Sequence, residues 1–249
     1  MKKTIGKLIA AAVMGALALT ANATPEQVDK EVQGYVSAFN SGAYAQMKDA
    51  LGELDWKGIS DSRIYDAMVE QFNKSKANTD KVSLDQTAHL ARGLAMSGND
   101  KYKAVIQAEL AGEPHKKLVK HYNTALEEFA YYAKLNAIAS ANLDKAADIQ
   151  VQRVKNFLSS DDPEIMVIGA KRVYNAHYSD KELLELAAKR LNDTFTTAND
   201  RSSIDAAANI CKALAKSGMS QYKELLTKVA DTAPNEKLKK YAAKYAAEL

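Results

Sequence analysis

The residues best equipped for chemistry in this 249-residue sequence are four histidines, a single cysteine and two adjacent glutamates. Neutral imidazole is a common ligand for zinc and copper, and one helix brings two to an ion only at a spacing of three or four. His115 and His121 are six apart, while His89 and His177 have no second His or Cys at those offsets. No metal site is expected from them, and no cofactor is expected elsewhere. Glu127 and Glu128 come nearest to a pair of catalytic acids, but helical neighbours face about 100° apart and cannot flank one bond. Cys211, as the only cysteine, excludes an internal disulfide. Its place on an apolar stripe makes it a small core residue rather than a redox thiol. The sequence holds no H-E-x-x-H, no glycine-rich phosphate loop, no G-x-S-x-G, no C-x-x-C-H and no Glu-Ser pair of the lytic transglycosylase kind. No catalytic residue is assigned, and the chain is expected not to be an enzyme.

What remains is charge. Lys116, Lys117 and Lys120 cluster just after Pro114, and Lys237, Lys239 and Lys240 cluster just after Pro234. Local basic patches of this kind steer an acidic protein or an anionic envelope polymer, and if the two regions stack they line up on one side. Along the same stretch Leu118, Tyr122, Leu126, Phe129 and Ala133 share a helical stripe that reads as core. Tyr131 falls off that stripe and is a candidate exposed aromatic for a partner. Asn192-Asp193-Thr194 matches a glycosylation sequon, relevant only in a pathway that modifies such sites.

The amino end reads as an export leader: Lys2, Lys3 and Lys7, then an apolar run from Leu8 to Leu19, then the small-x-small boundary Ala21-Asn22-Ala23. Residues 1–23 are expected to be cleaved before Thr24, giving a periplasmic or secreted protein. Twelve apolar residues are too few to span a bilayer, so no transmembrane segment is expected in the mature form. Losing the leader takes three lysines from 34 basic residues and leaves 31 against 31 acidic ones. A neutral, exported chain lacks the basic excess that releases counterions from phosphates, so nucleic acid is not an expected partner.

The elements that position these residues repeat. Residues 83–120 recur as 203–240 without a gap, with 13 of 38 positions identical, including Asp85/Asp205, Leu94-Ala95/Leu214-Ala215, Ser97-Gly98/Ser217-Gly218 and Lys117-Leu118/Lys237-Leu238. With one residue of slippage the match extends upstream, giving an internal duplication of 60–125 and 179–245 within a single domain, 24–249. Tyr102-Lys103 and Tyr222-Lys223 recur too, the tyrosines packing between helices. Each segment has helical periodicity: Leu84, Ala88, Ala91, Leu94 and Ala95 return as Ile204, Ala208, Cys211, Leu214 and Ala215. Gly98 and Gly218 mark helix ends, and Thr24-Pro25-Glu26-Gln27 is a capping box that opens a helix to about Asn40. Further helices are expected near Ala43–Glu53, Asp61–Lys76, His115–Ala139, Asp144–Leu158, Pro163–Ala176 and Asp180–Leu191, with no strand.

The segment DDPEIMVIGAKRVYNAHYSDKELLELAAKRL, Asp161 to Leu191, resembles a bacterial HEAT repeat: aspartate-proline, an alanine-bearing first helix, a short turn and a leucine-rich second helix. The stretch ALAKSGMSQYKELLTKVADTAPNEKLKKYA resembles the carboxyl end of exported HEAT-like proteins of proteobacteria. The resemblance implies an all-α solenoid of about ten to twelve helices in antiparallel hairpins, a fold that binds macromolecules over a broad curved surface. The expected function is a protein–protein interaction or scaffold module. An envelope enzyme or small-ligand protein with an unrecognised pocket, and a periplasmic chaperone with an exposed apolar groove, are the alternatives.

Overall fold

The computed structural model describes residues 26–144 and 147–249. The leader-like segment, its Ala23–Thr24 boundary and the first two residues of the capping box lie outside the described residues. Among the described residues the chain has twelve α-helices and no strand. They are α1 (Glu26–Asn40), α2 (Tyr44–Lys57), α3 (Ser62–Lys76), α4 (Lys81–Ala95), α5 (Asp100–Ala111) and α6 (Lys116–Ala139), then α7 (Ile149–Ser159), α8 (Pro163–Ala176), α9 (Lys181–Thr194), α10 (Arg201–Lys216), α11 (Lys223–Thr232) and α12 (Glu236–Ala246). No described helix is long and apolar enough to cross a membrane.

Aspartates set half of the starts. The side chains of Asp61, Asp80, Asp148, Asp162, Asp180 and Asp200 each accept a hydrogen bond from a first-turn backbone N–H. Each such cap contributes about 1 kcal/mol. The cap at Asp148 explains why α7 begins at Ile149 and not at Asp144, where the sequence pattern alone would start it. α2 runs past Glu53 to Lys57 and ends where Gly58 takes the left-handed conformation, at φ 67°.

Packing follows chain order in two layers, giving an α-solenoid of antiparallel hairpins. α1 lies against α3 and α7 against α9; in the other layer α4 lies between α2 and α6, and α10 between α8 and α12. Two cores result. The first is rich in large aromatics, with Phe39, Tyr65, Phe72, Tyr102 and Tyr122 fully enclosed. The second is built on alanine, with Ala206, Ala207, Ala208, Ala213 and Ala215 all buried on α10, which lets that helix press closely on α8.

The helix α6 breaks the regularity. Its 24 residues make it about 36 Å long, twice the length of α12, which has 11. It runs past the end of α4, where Asn136 Nδ2 donates to the carbonyls of Met96 and Ser97 at 2.9 Å, and on to the end of α2. There Gly58 is so close that a Cβ would fall 2.2 Å from that of Ala139. The chain is thereby delivered to α7, which docks on the first helix. Glu31 of α1 accepts from Lys57 Nζ at 3.0 Å, from Arg153 Nη1 at 2.7 Å and from the Gln150 amide. The Gln27 side chain bonds the backbone of Ala147 and Ile149, and the Arg172 guanidinium of α8 lies over the Trp56 ring of α2.

Candidate functional site

Two clefts occupy corresponding places in the two halves. One, of ≈230 Å³, lies between α4 and α6 and is lined by Lys81, Leu84, Asp85, Ala88, Lys117, Leu118 and His121. The other, of ≈210 Å³, lies between α10 and α12 and is lined by Asp205, Ala208, Asn209, Lys212, Tyr241 and Tyr245. A shift of 120 residues carries Asp85, Ala88 and His121 onto Asp205, Ala208 and Tyr241. The cause is local: in both halves a helix presents an acid and, three residues further on, an alanine along one edge of its apolar stripe.

The acid is satisfied differently in each cleft. The Tyr44 phenol donates to Asp85 Oδ2 at 2.5 Å, and His89 Nδ1 lies 2.9 Å from the same phenol oxygen. That bond, with smaller contributions from His89, Lys48 and His121, holds the Asp85 carboxyl below the usual carboxylate range. Asp205 instead accepts from Lys237 Nζ at 3.3 Å, with Arg201 Nε at 4.0 Å. In the first cleft the lysine is left without an ion pair among the described residues; in the second it is partly neutralised.

No protein-family model, curated protein or solved structure matches this chain.

The lysines singled out by the sequence divide into groups. Lys117 lines the first cleft and Lys237 closes on the floor of the second. Lys116, Lys120 and Lys240 are exposed on the neighbouring helical face, and Lys239 is half-buried and bonded to Glu236 at 2.9 Å. The second half meets α6 near Lys134, which pairs with Asp162, about 25 Å along the helix from Lys117. The clefts share no lining residue.

Tyr131 does not stand free. It is half-buried against the first core and meets Tyr132 edge-on at 5.2 Å between centroids, and burial pushes its phenol up to about 12. The exposed aromatics are Tyr178 and Tyr241, at 44% and 38%. Tyr241 is four residues from Lys237 on one face of α12, whereas Tyr178 lies in the turn that follows α8.

The other chemically equipped residues have structural roles. Nδ1 of His115 accepts from the Lys117 N–H at 3.3 Å and caps α6. His177 ends α8. The Cys211 thiol is enclosed in the second core, where burial pushes it up to about 12. Among the described residues no three His, Cys, Asp or Glu side chains are placed to share a metal ion. A further cleft of ≈360 Å³ between α8 and α10 is lined by Asp161, Asp193, Asp200 and Arg190. Its carboxylates are already engaged, Asp161 with Arg190, Asp193 with Lys189 and Asp200 as the cap of α10.

Proposed function

We propose that this chain is an exported, HEAT-like interaction module that holds an anionic partner, by preference another protein, on the face carried by its even-numbered helices. The observation behind the reading is the recurrence of one cleft. An acid and a buried alanine return 120 residues apart between helices at matching places in the stack, with Lys117 lining the first cleft and Lys237 bonded to the acid of the second. A duplicated unit that keeps its cleft offers a partner two footholds on one chain, and linked weak sites bind far more tightly than either alone. The leader-like amino end supports export, and the neutral balance of residues 24–249 leaves these lysines as local, not global, attraction.

The reading predicts salt-sensitive capture. Immobilised mature chain is incubated with envelope extract at low and at high salt, beside a variant carrying Lys117→Glu, Lys120→Glu, Lys237→Glu and Lys240→Glu. Retention of specific proteins at low salt is expected to fall about tenfold or more in the variant. Equal capture by both forms at every salt concentration would sink the proposal.

A further inference from the structure

The face made by α8, α10 and α12 carries ammonium groups in an arrangement that the first half lacks. On α10, Lys212 Nζ lies 3.8 Å from the centre of the Tyr174 ring, and Lys216 Nζ lies 5.9 Å from that ring and 5.4 Å from the Tyr178 ring. On α12, Lys237 Nζ is 5.9 Å from the Tyr241 ring and Lys244 Nζ 5.3 Å from that of Tyr245. A ring face attracts a cation by about 0.5–1 kcal/mol at an exposed site without neutralising it. Among the described residues Lys212, Lys216 and Lys244 have no ion pair. The residue matching Lys212 in the first half is Arg92, and it is bonded to Glu128 at 3.1 Å.

We propose that this face binds an extended polypeptide segment with acidic residues at alternate positions, lying along α10 from the Asp205 cleft to Lys216. The inference rests on reading the chain as an interaction module and names what the second cleft takes. Three observations select this occupant. Lys212 and Lys216 are four residues apart on one helix, a rise of about 6 Å. Successive same-side residues of an extended strand are about 6.6 Å apart, so carboxylates at every second position meet successive ammoniums. Asp205 remains inside the cleft, which repels a polymer charged at every unit but suits a segment whose neutral residues alternate with acids. Asn209 spends its amide N–H on the Asp205 carbonyl at 2.8 Å, leaving its oxygen as an acceptor for a backbone N–H of the segment. The exposed rings of Tyr178 and Tyr241 flank the path as amphipathic contact area.

The test uses the full mature chain and fluorescence anisotropy of a labelled alternating Glu-Ser peptide, with a block Glu-Glu-Ser-Ser peptide of the same length and charge as comparison. The alternating peptide is expected to bind more tightly, and Lys212→Glu with Lys216→Glu to weaken it about tenfold or more. Lys116→Glu, on the far half, is expected to leave it unchanged. Lys212 is half-buried and Lys216 exposed, so an unchanged helical circular dichroism signal accompanies the double variant. Equal affinity for the two peptides, or an undiminished double variant, overturns the proposal. So does binding of polygalacturonate with none of either peptide, which would assign the face to an anionic polysaccharide. Salt-sensitive protein capture together with failure of the peptide arm removes this ligand and leaves the interaction module standing.

Discussion

The cleft between α4 and α6 and the cleft between α10 and α12 have the same skeleton and opposite electrostatic habits. Asp85 and Asp205, Ala88 and Ala208, Lys117 and Lys237 correspond one to one. Around them the neighbours have changed: His89 is replaced by Asn209, Arg92 by Lys212 and His121 by Tyr241. In the first half a phenol satisfies the acid and a carboxylate satisfies the arginine, so Lys117 and Lys81 line the cleft without an ion pair among the described residues. In the second half Lys237 is drawn to the acid, while Lys212 and Lys216 rest on rings. Helix packing fixes where a cleft can form. Which cations remain available there depends on side chains at its edge, where substitution costs the fold little.

The halves are joined where the first helix meets the seventh, and the largest expected effect lies there. Glu31 is the common partner of Lys57 and Arg153, with side-chain exposures of 17%, 15% and 4%. Arg153 Nε already lacks a partner, so Glu31 carries most of what compensates that buried charge. Removing one member of a buried pair costs about 3–5 kcal/mol because the other charge is stranded. Glu31→Ala is expected to lower stability by about that amount and to split urea unfolding into two transitions. Loss of fluorescence from Trp56, which sits under Arg172 of α8, would follow the first half and its junction, and alkylation of Cys211 the second. A single coincident transition in the variant would show that the halves remain one cooperative unit without the bridge.

A smaller effect separates two glycines that the sequence makes equivalent. Gly98 and Gly218 both end a helix with φ near 60–67°. A Cβ on Gly98 would lie 2.4 Å from the backbone of Ala133, on the extended part of α6, whereas one on Gly218 meets nothing within 4 Å. Gly218→Ala therefore carries only the left-handed conformational penalty of about 1 kcal/mol, or about 2–4 °C in Tm. Gly98→Ala adds an overpacking cost of about 1–3 kcal/mol, because the clash is with backbone that cannot rotate away. Equal melting temperatures for the two variants would mean that α6 yields at Ala133.

The difference between those glycines marks what the sequence makes legible. Helix existence and type are readable because each helix carries its own apolar period and most carry a capping side chain as well. α8 begins and ends at Pro163 and Ala176, where its pattern puts it. The extra length of α6 is legible too, but not its consequence, since nothing local states that Leu135 and Ala139 reach back to Gly58. The cleft residues are half legible. Lys117 and Lys237 stand out by recurrence, whereas Tyr44, His89 and Lys212 become partners only when separate helices are brought side by side. Tyr131 misleads for the same reason: position on the wheel of α6 puts it outside the stripe, but its ring packs against the first core. Burial, and then the charges of Asp55, Glu164 and Asp162, oppose ionisation of its phenol.

The finest distinction between the halves is a single atom of the core stripe, Ala91 in one and Cys211 in the other. Both are fully buried. Burial pushes the Cys211 thiol up to about 12, while an unfolded thiol ionises near 8.5. A group whose folded value is raised gives stability that is complete below its unfolded value and is lost as pH rises towards the folded one. Between pH 8 and pH 10 the wild-type chain is therefore expected to lose about 2 kcal/mol through this group alone. Cys211→Ala, which copies the first half's residue into the second, removes that dependence while costing little volume. Urea midpoints of the two forms, close at pH 7, should separate by pH 10, with the wild-type chain falling below the variant. Parallel midpoints across that range would show that the thiol is not held neutral, and that the second core admits water at Cys211.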